Sequence, residues 1–193
     1  RVRFFCSEEE NIFFKQSLMP IVKKLFNVKP TFRYCDSHCL VLAINSVRIE
    51  KLFRKIFNHT GNKKQNLNVP SIKFDEKSFI AGLVAGDGSI VITKNNSEIR
   101  KYPLLHFTNS SKVLINFYCD FLVKNDISFY KCKRKHDGYQ VTIKGGELRK
   151  FLSLVTILNQ TQQSKLKVLN TIEYLPENTS HKDRLNILNA AVV

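Results

Sequence analysis

The spacing of apolar and polar residues predicts that strands and helices alternate along the whole chain. In the first part, strands are predicted at residues 1–7, 31–35 and 38–45, and helices at residues 8–26 and 47–57. Ser7, followed by three glutamates, is a typical helix start, and Pro20 is expected to kink or divide the first helix. The polar, basic residues 59–68 predict a loop that ends this part.

The remaining chain opens with an apolar helix and then repeats the same order of elements. Asp75 is the expected N-cap of this helix, and Gly88 ends it before a β-type run. Further strands are predicted at residues 89–94, 101–108, 128–134 and 138–144, and helices at residues 111–124, 147–155 and 164–174. The glutamine-rich residues 159–163 predict a connector before the last of these helices.

Comparison of the two parts predicts an internal repeat. Three pairs of segments match in order, residues 4–7 with 107–110, 31–35 with 128–132, and 42–44 with 141–143. The first copy has no counterpart of residues 75–94, so we expect its opening helix and first strand to precede Arg1. The predicted domains are therefore residues 1–74, an incomplete unit, and residues 75–193, a complete unit.

The helix within residues 79–90 (FIAGLVAGDGSI) has one flank with almost no side-chain bulk. The apolar face contains Phe79, Ile80, Leu83 and Val84, and the flank contains Ala81, Gly82, Ala85 and Gly86. Glycine inside a helix costs about 1 kcal/mol relative to alanine, so two glycines one turn apart indicate a second backbone packed closely against them. We therefore predict a helix interface at Gly82 and Gly86.

Asp87 lies at or near the C-terminus of that helix, where the macrodipole disfavours a negative charge unless a cation lies nearby. From the residues alone, two interpretations stay open. Asp87 is either a metal-binding carboxylate shared across a helix interface, or the solvated last residue of an ordinary buried helix.

The charge balance favours a polyanionic partner. The chain of 193 residues has 31 Lys and Arg against 16 Asp and Glu, a net charge of +15, and nucleic acid is the commonest partner of so basic a protein. The alternative is a basic protein that binds no polyanion. No apolar run approaches the roughly 20 residues that span a bilayer, and no secretory signal is visible. We expect a soluble, intracellular protein without membrane contact, whose compartment the sequence does not specify.

The five cysteines form an odd set without CxxC spacing, which argues against a disulfide framework. Cys35, His38 and Cys39 lack the second ligand pair of a structural zinc site.

Residues 80–88 (IAGLVAGDG) resemble the LAGLIDADG motif of homing endonucleases. Ile80 and Val84 are apolar exchanges, Gly86 replaces an alanine, and Ala85 replaces the first acid of the motif. Asp87 keeps the second acid, which binds metal in the family. The resemblance implies an α+β LAGLIDADG endonuclease fold of two pseudo-symmetric αββαββα units with antiparallel, saddle-shaped sheets, the first unit being incomplete.

The same resemblance implies a site-specific homing endonuclease that binds a long double-stranded DNA target and hydrolyses both strands with Mg²⁺ or another divalent cation. Asp87 is the implied metal ligand, and Asn109 is the implied water-orienting residue, with Cys6 as its poor counterpart in the first copy. The implied lysine of the first copy is Lys64 or its neighbour Lys63. In the second copy this position is occupied by Gln160, and the nearest lysine is Lys165.

A second acid would come from residues before Arg1, which makes a monomeric pseudo-dimer, or from a partner chain. The implied DNA-binding residues are Arg3, Arg33, Thr93, Arg100, His106, Lys131, Lys133, Lys135, Gln140, Thr142 and Lys144. Strand alternation predicts that Lys131, Lys133 and Lys135 face the DNA together with Gln140, Thr142 and Lys144, while Tyr139, Val141 and Ile143 face the core. In the first copy, Val41 and Ala43 take the equivalent outward positions.

A binding function remains the alternative to an enzyme. The same fold serves as an intron RNA maturase or an inactive DNA-binding protein, and the missing acid, Cys6 and Gln160 motivate that interpretation. The chain could also be the endonuclease region of an intein, although it has no splicing-type Cys or Ser start and no terminal His-Asn.

Overall fold

The computed structural model describes residues 2–35, 39–58, 67–95, 98–134, 138–172 and 179–191, with backbone alone at residues 92–95 and 98–102. It contains two antiparallel sheets with helices packed on one face of each. The strands are β1 (Val2–Ser7), β2 (Thr31–Tyr34), β3 (Cys39–Ile44), β4 (Gly88–Asn95), β5 (Glu98–Asn109), β6 (Tyr130–Lys133) and β7 (Tyr139–Lys144). The α-helices are α1 (Asn11–Phe13), α2 (Met19–Phe26), α3 (Val47–Ile56), α4 (Glu76–Asp87), α5 (Lys112–Lys124), α6 (Gly145–Leu154), α7 (Gln160–Ile172) and α8 (His181–Ala190).

The two sheets have matching strand orders. The first is β1-β3-β2, and the second is β4-β5-β7-β6, so β1, β3 and β2 correspond to β5, β7 and β6. Among the described residues, the first sheet has no strand that corresponds to β4. The predicted α+β class with two antiparallel sheets is confirmed, whereas the incompleteness of the first unit and the boundary at residues 74 and 75 stay predictions.

The helical segment predicted at residues 8–26 is divided at Pro20, as expected. The chain runs from a 3₁₀ turn (Glu8–Glu10) through α1 into a π turn (Phe14–Leu18), and then directly into α2, where Pro20 is in the first turn. Proline has no N–H for the carbonyl four residues earlier, and its ring would clash with that carbonyl in a regular α-helix. We attribute the π turn to this conflict, because one wider turn moves the carbonyls away from the ring.

The second sheet has the larger core. Ile80 and Val84 of α4 are almost fully buried, and they pack with side chains from the sheet and from α5. The main contributors are Ile90, Leu105, Phe107, Ile115, Tyr118, Leu122, Val141 and Ile143. The first sheet instead has two smaller clusters, one around Leu40 and Leu42 and one around Ile44 and Ile49. The apolar face of α4 is therefore part of the hydrophobic core of the second sheet, as the sequence predicted.

The end of the chain differs from the sequence prediction. Residues 159–163 are not a connector, because the Asn159 side chain accepts a hydrogen bond from the Thr161 N–H (3.0 Å) and α7 begins at Gln160. Helix α8 was not predicted; it begins at His181 after the N-cap Ser180, whose side chain accepts from the Asp183 N–H (3.2 Å), and it buries Arg184. None of the described helices is long and apolar enough to cross a lipid bilayer.

Candidate active site

Asp87 is placed by the junction between α4 and β4. Asp75 caps the start of α4 by accepting the Ser78 N–H at 2.7 Å, as predicted, and the helix continues to Asp87. Gly88 then enters β4 with extended backbone, and its N–H still donates to the Val84 carbonyl. A Cβ at Gly88 would lie 2.4 Å from that carbonyl oxygen, so only glycine fits this turn. The last residue of α4 is thereby held against the beginning of the sheet.

The structure brings Asn109, at the end of β5, to Asp87. The Asn109 Nδ2 donates to the Asp87 Oδ2 at 2.7 Å, and the Asn109 Oδ1 accepts the Ser111 N–H at 2.8 Å. Ser111 is buried; it caps α5 by accepting the Leu114 N–H and donates to the Leu67 carbonyl at 2.6 Å. Because the backbone N–H occupies Oδ1, the amide can present only its NH₂ group to the carboxylate. The pair is therefore preorganised by the caps of two helices.

The environment of Asp87 favours the protonated carboxyl more than water does. Partial burial raises the pKa of Asp87 above its ordinary value, and the hydrogen bond from Asn109 acts in the opposite direction with a smaller effect. A carboxylate that is partly desolvated, yet open to solvent on one side, has unused lone pairs for a cation. In the described part of the chain, no cluster of three or more His, Cys, Asp or Glu side chains could hold a metal ion alone.

The glycine flank of α4 is open. Gly82 and Gly86 are both exposed, and a Cβ built on either meets no atom within 4 Å. The second backbone predicted at these glycines is therefore not among the described residues, and the role of Gly82 and Gly86 as a helix interface stays a prediction.

Gly82→Ala should accordingly stabilise this chain. Alanine is favoured over glycine inside a helix by about 1 kcal/mol, and the added methyl group has free space. We expect the free energy of unfolding in urea to rise by about 0.5–1 kcal/mol. If another backbone packs here during cleavage, the same variant should cleave DNA more slowly despite its greater stability. A destabilised Gly82→Ala protein would show that the flank is already occupied.

Gln160, the other predicted catalytic residue in the described part of the chain, bonds to a residue other than Asp87. Gln160 donates from Nε2 to the Gln16 side chain at 3.2 Å, across the two halves of the chain. Cys6 is buried, and burial is the main cause that raises its pKa to about 12, so its thiol is a poor water-orienting group. Lys63 and Lys64 lie outside the described residues. The catalytic roles of Gln160 and Lys64 stay predictions.

Three side chains near α7, which sequence reasoning did not assign to the site, support its geometry. The Gln162 Oε1 accepts the Ile90 N–H at 2.7 Å, and the Lys165 Nζ donates to the Ile90 carbonyl at 3.1 Å, so α7 covers the edge strand β4. Burial lowers the pKa of Lys165. Asn159, 1% exposed, donates to the Glu10 carboxylate at 3.0 Å and lies 3.5 Å from the Ala85 carbonyl near the end of α4. The glutamine-rich composition of residues 159–163 is the signal for these contacts in the sequence, although it predicts a connector.

The open face of the second sheet carries polar side chains, but not all of the predicted ones. Residues opposite each other in antiparallel strands project to the same face. Thr142 lies between His106 on one neighbouring strand and Tyr130 on the other, and Gln140 lies opposite Cys132. These five residues share the open face. Lys144, opposite Leu104, is exposed on the same face.

The predicted orientation of Lys131 and Lys133 is wrong. They lie opposite Val141 and Tyr139, whose side chains face the helices. Because cross-strand partners project to the same face, both lysines are on the helical side of the sheet, one residue out of phase with the prediction. The Lys131 Nζ accordingly donates to the Asn116 side chain of α5 at 3.1 Å. Lys135 lies outside the described residues, as do the side chains of Thr93 and Arg100.

Arg134 is a cation that the sequence analysis did not select for the open face. Its N–H donates to the Gly138 carbonyl at 2.9 Å and so continues the β6–β7 pairing, which gives it the same phase as Cys132. Burial lowers the pKa of His106, and the positive charge of Arg134 lowers it further. His106 is therefore a neutral hydrogen-bonding group, and Arg134 is the nearby charge.

The first sheet has a smaller open face. Arg3 and Arg33 lie opposite Ala43 and Val41 of the central strand, and both arginines are exposed. The side chains of Val41 and Ala43 project to the open face, as predicted, yet both are buried beneath the side chains of the flanking strands. This surface therefore presents mainly the two cations and Phe5, which is 59% exposed.

Comparisons with known proteins agree with this architecture. Residues 75–156 match the family described as LAGLIDADG-like domain. The meganuclease I-SmaMI bound to uncleavable DNA is 13% identical in sequence; the alignment covers 98% of this chain and 85% of that chain, with a TM-score of 0.57. I-SmaMI bound to an uncleaved DNA target in the presence of calcium ions is 12% identical, with the same coverage and a TM-score of 0.59. No curated protein matches the chain significantly.

The family match covers the motif helix α4, the whole second sheet and α6, and it includes both Asp87 and Asn109. At 12–13% identity the solved structures show the fold. The resemblance inferred from residues 80–88 is thus confirmed: residues 75–156 match the LAGLIDADG-like domain family, and the chain has the fold of the LAGLIDADG meganucleases.

Proposed function

We propose that this protein is a site-specific homing endonuclease that binds a long double-stranded DNA target and hydrolyses phosphodiester bonds in both strands with a divalent cation. The observation that carries the proposal is the Asp87–Asn109 pair, held at 2.7 Å where the motif helix meets the sheet. The net charge of +15 supports a polyanionic substrate. The similar meganuclease I-SmaMI, solved with DNA and with calcium ions, supports the substrate class and the cation.

The site residues fit a Mg²⁺ ion that is completed by the substrate. Mg²⁺ is usually held by one or two carboxylates together with phosphate oxygens and waters, so Asp87 is a sufficient protein ligand from this chain. When bound, such an ion lowers the pKa of coordinated water and neutralises charge on the phosphate. Asn109 holds one Asp87 oxygen by donating to it, which leaves the other oxygen directed away from the amide. Ser111 prevents the amide from reversing.

The open face of the second sheet is the proposed duplex-binding surface. It combines Arg134 and Lys144, which suit phosphates, with His106, Gln140 and Thr142, which can bond to base edges. Gln140 and Thr142 are already oriented, because the Gln140 Nε2 donates to the Thr142 Oγ1 at 3.3 Å.

Lys144→Ala should weaken duplex binding about fivefold and reduce the salt dependence of binding by roughly one counterion. Lys133→Ala removes the same charge from the helical side of the sheet and is the matched control, with an expected change of less than about twofold. Titration of labelled duplex DNA at several salt concentrations measures both. Equal losses for the two variants would contradict the assignment of the faces.

The activity itself is tested with the full chain, Mg²⁺ and long duplex DNA that carries candidate insertion sites. We expect a small number of double-strand breaks at fixed positions, and their disappearance when EDTA removes the cation. Uncleaved DNA in the presence of Mg²⁺, with binding retained, would refute the endonuclease proposal. Mapping the cut site would also show whether the gene lies in an intron or an intein. Since the substrate is cellular DNA, we place the protein inside the cell.

The second candidate is a binding protein with this fold, either an intron RNA maturase or an inactive DNA binder. Two observations favour it: Cys6 is a buried thiol where the second unit has Asn109, and Gln160 bonds to Gln16. Parallel incubations with intron-containing and intronless duplexes and with intron RNA discriminate between the two. A binder should leave both duplexes intact and accelerate RNA splicing or merely retain the nucleic acid.

A further inference from the structure

A groove of 530 Å³ lies at the outer edge of the first sheet, away from the proposed duplex-binding surface. It is bounded by the helical segment that carries Asn11 and Lys15, and by the edge strand β2 with Phe32, Arg33 and Tyr34. Phe32 and Tyr34 lie opposite Leu42 and Leu40, so they are on the helical side of the sheet. The face with Arg3, Val41 and Ala43 is the other side.

The groove combines an accessible aromatic surface with positive charge. Tyr34 is 62% exposed, and the Lys15 Nζ lies 5.4 Å from the centre of the Phe32 ring. Among the lining residues, Lys15 is the cation on the helical side, none is acidic, and the Arg33 side chain has the phase of the opposite face. Aromatic rings that can stack a flat group, beside a cation that can hold an anion, fit a nucleotide better than a neutral or acidic peptide.

The other half of the chain shows that this space is not a necessary consequence of the fold. The corresponding edge strand there is β6, and Lys131 spans the distance to α5 by donating to Asn116 at 3.1 Å, while its ammonium also lies 5.5 Å from the Tyr139 ring. In the first half, Phe32 is at the matching position, because it lies opposite Leu42 as Lys131 lies opposite Val141, and its ring has no donor that could bond to the neighbouring helix. The groove is therefore open because of the residues at this edge of the first sheet, and not because the fold requires it.

From this geometry we infer that the groove between α1, the π turn and β2 binds a short single-stranded segment of nucleic acid, with Tyr34 stacking a base and Lys15 holding a phosphate. The volume suits one or two nucleotides, since sites for small organic ligands span about 300–1,000 Å³. A duplex does not satisfy the site, because its bases are stacked inside the helix and cannot reach an aromatic side chain. RNA and single-stranded DNA share the required chemistry.

The inference depends on the proposed function only in taking nucleic acid as the ligand class. The groove and the duplex-binding surface lie on opposite sides of their sheets and do not share Tyr34, so a duplex and a single strand should bind at the same time. A failure of DNA cleavage would leave the groove proposal intact. A failure of single-strand binding would leave the endonuclease proposal intact.

The test uses the full chain and fluorescence anisotropy of labelled oligouridylate and oligodeoxyuridylate dodecamers, which differ only in the 2′-hydroxyl group. Tyr34→Ala should weaken binding of the preferred strand about tenfold, because loss of one stacked base has an effect of that order. Tyr34→Phe, which keeps the ring, should stay within about twofold, as should Lys133→Ala, which removes a charge from the corresponding edge of the other sheet. Lys15→Ala should reduce the salt dependence of single-strand binding.

The two oligonucleotides show whether the ligand is RNA or single-stranded DNA. Tighter binding of the oligouridylate assigns recognition of the ribose, and equal affinities assign recognition of base and phosphate alone. Two results would overturn the inference: unchanged single-strand affinity in Tyr34→Ala, or complete displacement of the single strand by unlabelled duplex at one equivalent. Because Tyr34 is largely exposed, circular dichroism should show unchanged folding in the alanine variant.

Discussion

Asp87→Asn should abolish DNA cleavage while leaving duplex affinity within about threefold of the unchanged protein. The substitution keeps the size of the side chain and its hydrogen bond with Asn109, but it removes the negative charge that would hold a divalent cation. Loss of the metal-binding charge removes the activation of water, whereas the phosphate contacts of the sheet face are untouched. Cleavage of a mapped target and anisotropy with the same duplex measure the two effects. Cleavage at the original rate would remove Asp87 from the mechanism.

The same substitution should also change stability in a pH-dependent way. Because burial raises the pKa of Asp87 in the folded state, the folded protein binds this proton more tightly than the unfolded chain does. Stability should therefore fall as pH rises through the ordinary pKa of Asp and then through the raised pKa of Asp87. In the absence of metal, Asp87→Asn should have a higher melting temperature at neutral pH, and the difference should shrink in acid. A lower melting temperature at neutral pH would show that the Asn109 bond outweighs the cost of burial.

Gly88→Ala should have the largest effect on stability of any single substitution at the site. The added methyl group would lie 2.4 Å from the Val84 carbonyl oxygen and 2.7 Å from a Val84 methyl, so the end of α4 or the start of β4 must move. Overpacking of this kind costs about 1–3 kcal/mol, and here the loss of the helix-ending hydrogen bond adds to it. We expect a loss of about 3 kcal/mol in the free energy of unfolding, measured in urea.

Gly146→Ala is the control for Gly88→Ala. It makes the same change in the first turn of α6, where a Cβ meets no atom within 4 Å, and its effect should lie within about 0.5 kcal/mol of zero. Any folded Gly88→Ala protein should also cleave DNA poorly, since the displaced junction carries Asp87. Full stability and full activity in Gly88→Ala would contradict the geometry of the α4–β4 turn.

Local signals along the chain were sufficient for most elements. Ser111 and Asp75 precede helices whose apolar spacing is regular, and both cap the predicted helix in the structure. The motif residues Ile80 and Val84 face the core, and so do Val141 and Ile143 of β7. Both pairs were predictable, because the helical and strand periods of apolar residues can be seen directly in the sequence. The resemblance selected Asp87 and Asn109 separately, and the hydrogen bond between them was not deducible from spacing.

The failures occurred where a local pattern was compatible with two structures. The strand YKCK alternates equally well in either phase, and only the pairing of β6 with β7 decided that Lys131 and Lys133 face the helices. The polar residues 159–163 resemble a loop, but their amides pair with Ala85, Ile90 and the first half of the chain, so the polar side chains became buried in a helix. Helix α8 lacks a regular apolar stripe, and buried Arg184 with its bond to Ser164 at 2.8 Å attaches it.

The sequence by itself determined the order of helices and strands as far as α7, the motif helix with its terminal aspartate, and the basic character of the whole chain, because each depends on residues that are neighbours along the polypeptide. Only the tertiary structure decided which cations share a face with Gln140 and Thr142, that Asn159, Gln162 and Lys165 secure the site, and that a groove opens beside Tyr34. These features depend on strand phase and on contacts between residues distant in the chain, which no local period encodes.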